Sequence, residues 1–179
     1  DSDRLAHLEV QGNNWPLRGM KKSFFEGGVR VPAFLAGGAL PLYNRGGALN
    51  GYIHLADWFA TLREIVDSPH HSPPGSLSMA RYIAGSASES PRKSMILAAG
   101  ATGDTVNHAE ALICGSWKLI NGAIPCGWDS WQSPVFPNNT REMPPGFGVS
   151  GCHEETVTYL FNIIEDPHEN HNQAEAHPG

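Results

Sequence analysis

Three things are scarce in this chain, and each shortage closes off a class of function. Cationic residues come first: 12 Lys and Arg stand against 18 Asp and Glu, a net charge of −6. General nucleic-acid binding needs a basic face, so no nucleic-acid partner is expected. Long apolar runs come second, since nothing approaches the ~18 apolar residues of a spanning helix, and no membrane span is expected. Cysteine comes third, with three in 179 residues. Near Asp1 there is also no charged segment followed by an apolar one, so no secretion signal is visible. What is present, 40% hydrophobic and 17% charged residues, is ordinary globular composition for one domain or a little more.

The densest chemistry lies in Asn13-Asn14-Trp15-Pro16-Leu17-Arg18-Gly19-Met20-Lys21-Lys22-Ser23-Phe24-Phe25-Glu26-Gly27-Gly28-Val29-Arg30. Pro16 fixes its own φ and pushes Trp15 toward extended backbone, which predicts a turn, and Gly19 can supply a positive φ there. Arg18, Lys21 and Lys22 then fall within five residues of one another. Such a cluster can hold a multiply oxygenated anion, with Arg as a planar fork and Lys as a compact charge. On these residues alone it can equally be a solvated basic loop. Gly27 and Gly28 read as a plain tight turn.

Cys126 and Cys152 bracket a loop rich in Pro, Gly, Trp and Asn. A disulfide between them is expected, worth about 3 kcal/mol in the chain-entropy picture. Cys114, inside Ala111-Leu112-Ile113-Cys114, reads as a small buried hydrophobe. The alternative is three reduced thiols in a cytosolic protein. Asn138-Asn139-Thr140 is a glycosylation sequon at Asn138 in the same loop.

Periodicity predicts a buried strand over Val29 to Ala36 and an amphipathic helix over about 54 to 66, with Leu55, Trp58, Phe59, Leu62, Ile65 and Val66 on one face. His54 and Asp57 at its start read as capping and packing groups rather than an acid and base pair. The Ser- and Pro-rich stretch 67–75 marks a border between a main domain, to which 1–70 would contribute a part, and a smaller domain over 76–179. Ser76 is placed to cap a short helix through about Gly85. Strands follow at 94–99, 110–114 and 117–121, the last two joined by the two-residue signal Gly115-Ser116. A further strand over 157–163 and an acidic, His-rich terminal helix close the chain. In that helix His168, His171 and His177 are read as exposed histidines rather than metal ligands.

Several of these segments resemble the sulfatase family. Trp15-Pro16-Leu17-Arg18-Gly19-Met20-Lys21, Glu26-Gly27-Gly28-Val29-Arg30 and Ile53-His54-Leu55-Ala56-Asp57-Trp58-Phe59-Ala60-Thr61-Leu62 follow one another as they do in that family. Gly115-Ser116-Trp117-Lys118-Leu119-Ile120 resembles its Gly-x-Trp-Lys-Leu strand. Tyr159-Leu160-Phe161-Asn162 with Glu165-Asp166-Pro167-His168-Glu169 resembles its ending, and Gly122-Ala123-Ile124-Pro125-Cys126-Gly127 is similar to the arylsulfatase B-like branch. The resemblance covers nearly the whole chain. It implies an α/β, alkaline-phosphatase-like sulfatase fold, of which this would be the C-terminal part of the main sheet domain plus a small antiparallel sheet with a terminal helix.

What the resemblance implies for chemistry is hydrolysis of sulfate esters by a formylglycine nucleophile, with calcium and basic residues neutralising the sulfate oxygens. Lys21 matches the sulfate-contacting lysine, and Arg18 matches a neighbouring positioning or substrate-binding residue. An ungapped count back places a calcium-ligating Asp at Asp3 and its Asn partner at Arg4, where a guanidinium has no lone pair to offer. No Cys or Ser stands in a C/S-x-P-S-R context, so the chain alone is expected to be inactive, with most of the calcium site outside it. The substrate would be a sulfated small molecule or glycan, and the location lysosomal or secreted. A different class also fits: a non-catalytic, sulfatase-like extracellular protein holding sulfated glycans through Arg18, Lys21 and Lys22. A phosphatase or phosphodiesterase of the same superfamily fits less well, because those lack the Trp-Pro-Leu-Arg-Gly context. Strand 29–36 and the apolar face of helix 54–66 would be left exposed in such a piece, which predicts aggregation.

Overall fold

The structure is a computed structural model, and residues 14–21, 23–38, 40–99, 109–124 and 153–177 are described. The chain forms two compact units: Asp1–Val31 with Ile96–Gly179, and Pro32–Met95.

The first unit is organised by a four-stranded sheet in the order β1 (Ser94–Ala98), β2 (Glu110–Cys114), β3 (Trp117–Ile124), β4 (His153–Asn162). Strands β2, β3 and β4 are antiparallel neighbours. The β2–β3 hairpin turns through Gly115 at φ 57°, a left-handed conformation that glycine adopts without steric cost. Alternation then decides which side chains face inward. Ala111, Ile113, Lys118, Ile120, Tyr159 and Phe161 are paired across the strands and are all buried. On the opposite face Leu112 and Leu119 are partly exposed, and Cys114 is exposed rather than buried, because its place in the alternation turns it outward.

Phe25 packs onto the inward face from the turn region, edge-on to Tyr159 at 5.4 Å and tilted against Phe161 at 6.1 Å between ring centroids. The tail closes the open edge of β4. Gln173 N–H donates to the Leu160 carbonyl at 2.8 Å, Leu160 N–H to Asn172 Oδ1 at 2.9 Å, and Asn172 Nδ2 to the Thr158 carbonyl at 3.0 Å. Capping an edge in this way removes a template for strand addition. The tail does this as turns, not as the expected helix. Asn162 and Asp166 side chains accept N–H groups of residues 164, 165 and 171, offering the backbone an alternative to helical bonds.

The expected strand over 29–36 is also absent. Residues Glu26–Val29 form one helical turn, α1, with Val29 N–H and Arg30 N–H donating back to the Phe25 and Glu26 carbonyls. Beyond it, 30–36 run without ladder partners, Pro32 lacks an N–H, and 31–36 are exposed. A strand exists only with a neighbour to pair with, and none is supplied here by the described residues.

The second unit holds a 3₁₀ turn, Leu42–Asn44, and two helices, α2 (Asp57–Ile65) and α3 (Ala80–Ile83). Its core is small: Ala60, Met79, Tyr82 and Ile83. Asp57, fully buried at the start of α2, organises it. The carboxylate accepts N–H groups of His54 at 2.8 Å and Leu77 at 2.9 Å, and Arg92 grips it with both Nε, at 2.6 Å, and Nη2. Burial works to raise this carboxyl's pKa, but Arg92 and the two backbone donors hold it below its ordinary value. His54 and Asp57 thus serve the helix start, with His54 Nδ1 accepting Ala56 N–H at 3.2 Å. Ser76, expected to cap α3, instead donates to the Ala56 carbonyl at 2.6 Å and accepts Ala60 N–H at 3.2 Å, tying its loop to α2. The apolar stripe of α2 faces out: Leu55, Phe59, Leu62 and Val66 are 82%, 49%, 52% and 69% exposed, while Asp57, Ala60 and Thr61 are buried.

Candidate functional site: the Lys21 turn and its buried anchor

Residues 14–21 form the turn expected from Pro16, with Leu17 N–H donating to the Asn14 carbonyl at 2.8 Å and Gly19 at φ 83°. A second turn follows at once. Ser23 N–H donates to the Met20 carbonyl at 2.9 Å, Ser23 Oγ–H donates to the same carbonyl at 2.8 Å, and Met20 N–H donates to Ser23 Oγ at 3.0 Å. Met20, Ser23 and Phe25 are 1%, 4% and 0% exposed, whereas Lys21 projects to solvent. Lys21 is therefore carried on the outside of a turn whose flanks are locked in the core.

Gly27 and Gly28 do more than turn the chain. A Cβ on Gly27 would lie 2.4 Å from the Gly19 carbonyl oxygen, and one on Gly28 would lie 2.3 Å from that of Ser23 and 2.5 Å from that of Met20. All of these are backbone atoms, so the plain-turn reading is corrected: both glycines are required by close backbone approach. The approach lets Gly27 N–H donate to the Arg18 carbonyl at 2.6 Å.

Beneath the turn lies an ionic cluster. Lys118, fully buried, places Nζ 2.6 Å from Glu26 Oε1 and 2.9 Å from Glu169 Oε1. Glu26 N–H donates to Glu169 Oε2 at 2.6 Å. Arg18 Nη1 donates to the Glu169 carbonyl at 2.9 Å, and its guanidinium lies over Phe25 at 4.5 Å, near Tyr159 and Phe161 at 5.2 and 5.8 Å. Arg30 stands 3.6 Å from Glu26 at the exposed rim. Burial pushes the Glu169 carboxyl up to about 7, against the opposing pull of Lys118 and the Glu26 N–H. Glu169 also has φ 55°, uncommon for a residue with a Cβ.

Thus Arg18, Glu26, Lys118 and Glu169, from four separate stretches of the resemblance, meet in one place. Lys118 and Glu169 were not among the candidates read from sequence. No local signal marked Lys118, because between Trp117 and Leu119 a lysine reads as the outward residue of a strand, and only the register shows that it faces inward. Arg18 is 8% exposed and spends its guanidinium on the Glu169 carbonyl and the ring faces, while Lys21 is exposed. Asp3, Arg4, Lys22, Cys126, Asn138 and Cys152 lie outside the described residues. Among the described residues no group of three or more His, Cys, Asp or Glu is arranged to hold a metal ion. The carboxylates of Glu26 and Glu169 are committed to Lys118, so they do not fit a calcium site. No helix among the described residues is long and apolar enough to cross a membrane.

No family profile matches the chain. Arylsulfatase J of Mus musculus is 28% identical over 99% of this chain and 32% of its own length. A solved sulfatase structure, described under the metabolism of multiple glycosaminoglycans by Bacteroides thetaiotaomicron, superposes with a TM-score of 0.52 at 23% identity, over 90% of this chain and 29% of that one. Both likenesses point to one class: the chain is similar in sequence to part of a sulfatase, and its fold is like that of the matching part of a solved, alkaline-phosphatase-like sulfatase. It spans about a third of the length of these relatives.

Proposed function

We propose that the chain is the C-terminal portion of an arylsulfatase-type sulfuric ester hydrolase and that Lys21 binds the sulfate group. The observation that supports this best is the contrast at the turn: Met20, Ser23 and Phe25 are locked inside while Lys21 stands out, a cation carried between buried neighbours. A preorganised cation of this kind lowers the energy of negative charge developing on the transferring group, because nothing has to reorganise when that charge appears. Arg18 acts behind it as a positioning residue. The formylglycine nucleophile and calcium would supply attack on sulfur and neutralisation of its oxygens, and neither is assigned to a described residue; Asp3 is the one metal ligand proposed within the chain. The two parts, 1–70 and 76–179, would belong to the main domain and the smaller C-terminal subdomain. A Cys126–Cys152 disulfide, a glycan at Asn138 and a lysosomal or secreted location complete the proposal. The substrate is a sulfated small molecule or glycan.

The test is Lys21→Ala in a full-length form carrying the nucleophile motif, with turnover of an aryl sulfate as readout. A fall in kcat of about a hundredfold or more is expected, and unchanged turnover sinks the assignment. Arg4, at the place matched to a metal-ligating Asn, favours a second reading: a non-catalytic protein that holds sulfated glycans through Arg18, Lys21 and Lys22. Retention on a sulfated-glycan column that salt abolishes and neutralisation of those three residues removes would support it.

A further inference from the structure

Glu169 touches both ends of the segment that carries Lys21. Its backbone carbonyl accepts Arg18 Nη1 at 2.9 Å, three residues before Lys21, and its carboxylate accepts Glu26 N–H at 2.6 Å, five residues after. The two contacts bridge 151 and 143 positions of sequence. Lys118 adds a second polar tie by joining the carboxylates of Glu26 and Glu169, and the Tyr159 and Phe161 rings pack against Arg18 and Phe25. Glu169 is fully buried and holds a left-handed backbone at φ 55°, a conformation that persists only where its surroundings enforce it.

We propose that Glu169 is a positioning residue for Lys21, clamping both ends of its turn, so that anion binding at Lys21 is coupled to the protonation of a buried carboxyl on a distant segment. The inference rests on the reading of Lys21 as a sulfate-binding residue. The groups facing Glu169 are Lys118 from β3, Glu26 from α1 and Arg18 from the turn, with Asp166 and His168 on its own segment. One ammonium is thus shared by two carboxylates out of water. The closed clamp keeps the Glu169 carboxyl protonated up to about 7, whereas an opened one would expose it to water and return it to the ordinary carboxylate range. Closure therefore binds a proton, acid favours the closed turn, and pH rising through 7 loosens it.

The experiment measures inorganic sulfate affinity at pH 5.5 and pH 8 in the natural full-length protein by calorimetry, with hydrogen exchange of the 14–28 segment followed in parallel by mass spectrometry. The expected result is affinity about tenfold higher at pH 5.5, a difference that Glu169→Gln removes. A merely structural Glu169 would leave the wild-type and variant pH profiles parallel, and parallel or flat profiles overturn the proposal. If wild type binds no sulfate at either pH, the Lys21 reading fails, and exchange decides the clamp alone. Extra opening of 14–28 above pH 7 that is absent in Glu169→Gln sustains the clamp, and equal behaviour refutes it. Should Glu169→Gln fail to fold, Glu26→Gln removes the neighbouring negative charge that helps raise the Glu169 carboxyl, so the midpoint of the exchange profile moves to lower pH. A midpoint that stays in place overturns the proposal.

Discussion

Replacing Lys118 by methionine tests the physical account of the cluster most directly. Met retains most of the aliphatic stem, which lies opposite Ile113 and Phe161 in the sheet register, so the packing loss is small. What disappears is the ammonium 2.6 Å from Glu26 and 2.9 Å from Glu169. Two carboxyl groups then share a water-excluded site with no cation between them. Breaking a buried ion pair by removing one partner costs about 3 to 5 kcal/mol, because the survivor stays buried and unpaired. One carboxyl can protonate, so the low end, about 3 kcal/mol, is expected at pH 7. For a chain of this size that lowers Tm by roughly 6 to 12 °C. Urea unfolding read by far-UV circular dichroism supplies the measurement. The double variant Lys118→Met with Glu169→Gln should recover part of the loss, since the neutral amide needs no counter-charge and its oxygen still accepts Glu26 N–H. A coupling of at least about 1 kcal/mol is expected from that cycle. A single-variant loss below about 1 kcal/mol, the range of exposed pairs, would refute the reasoning.

Stability should fall on both flanks of pH for different reasons. Glu169, with its folded value raised to about 7 from 4.5, contributes stability that is complete below 4.5 and is lost as pH rises through 7, so Glu169→Gln should flatten the alkaline limb of a urea midpoint profile. Asp57, held below its ordinary 3.8, contributes stability present above that value and lost as pH falls through the lowered one. Asp57→Asn should therefore remove the acid limb, at a cost of about 3 kcal/mol at neutral pH for leaving Arg92 without its carboxylate. Gly28→Ala should lose at least about 2 kcal/mol by forcing a Cβ into two carbonyl oxygens, while Gly38→Ala, with nothing within 4 Å, should stay within about 0.5 kcal/mol of wild type in the same titration.

Local signals in the sequence carried the hairpin and the turns. Ala111-Leu112-Ile113-Cys114 is an apolar run, Gly115-Ser116 has turn chemistry, and the observed β2 and β3 follow both. Pro16 and Gly19 likewise announced the turn that presents Lys21. What local pattern could not show is pairing across long separations. Residues 29–36 have strand composition, yet a strand needs a partner's N–H and C=O groups, and composition says nothing of their presence. The tail has a helix-like mixture of Glu, His and Asn, but Asn162, Asp166 and Asn172 place side-chain acceptors where backbone donors needed them. The site divides the same way. Lys21 and Arg18 sit in a contiguous motif, whereas the cluster assembles Glu26, Lys118 and Glu169 from three segments, and only the fold brings them within 3 Å of a shared ammonium.

The left-handed backbone of Glu169 has an evolutionary consequence. Glycine would relieve the conformation but delete the carboxylate, and aspartate or asparagine tolerate it but are one methylene too short to span from this backbone to both Lys118 Nζ and Glu26 N–H. The amino-acid alphabet thus offers almost no neutral exit from this position. Asp67, at φ 50° but exposed, lies under only the first of these constraints. In a mutagenised population selected for folding, position 67 should drift among Gly, Asn and Asp while position 169 stays fixed.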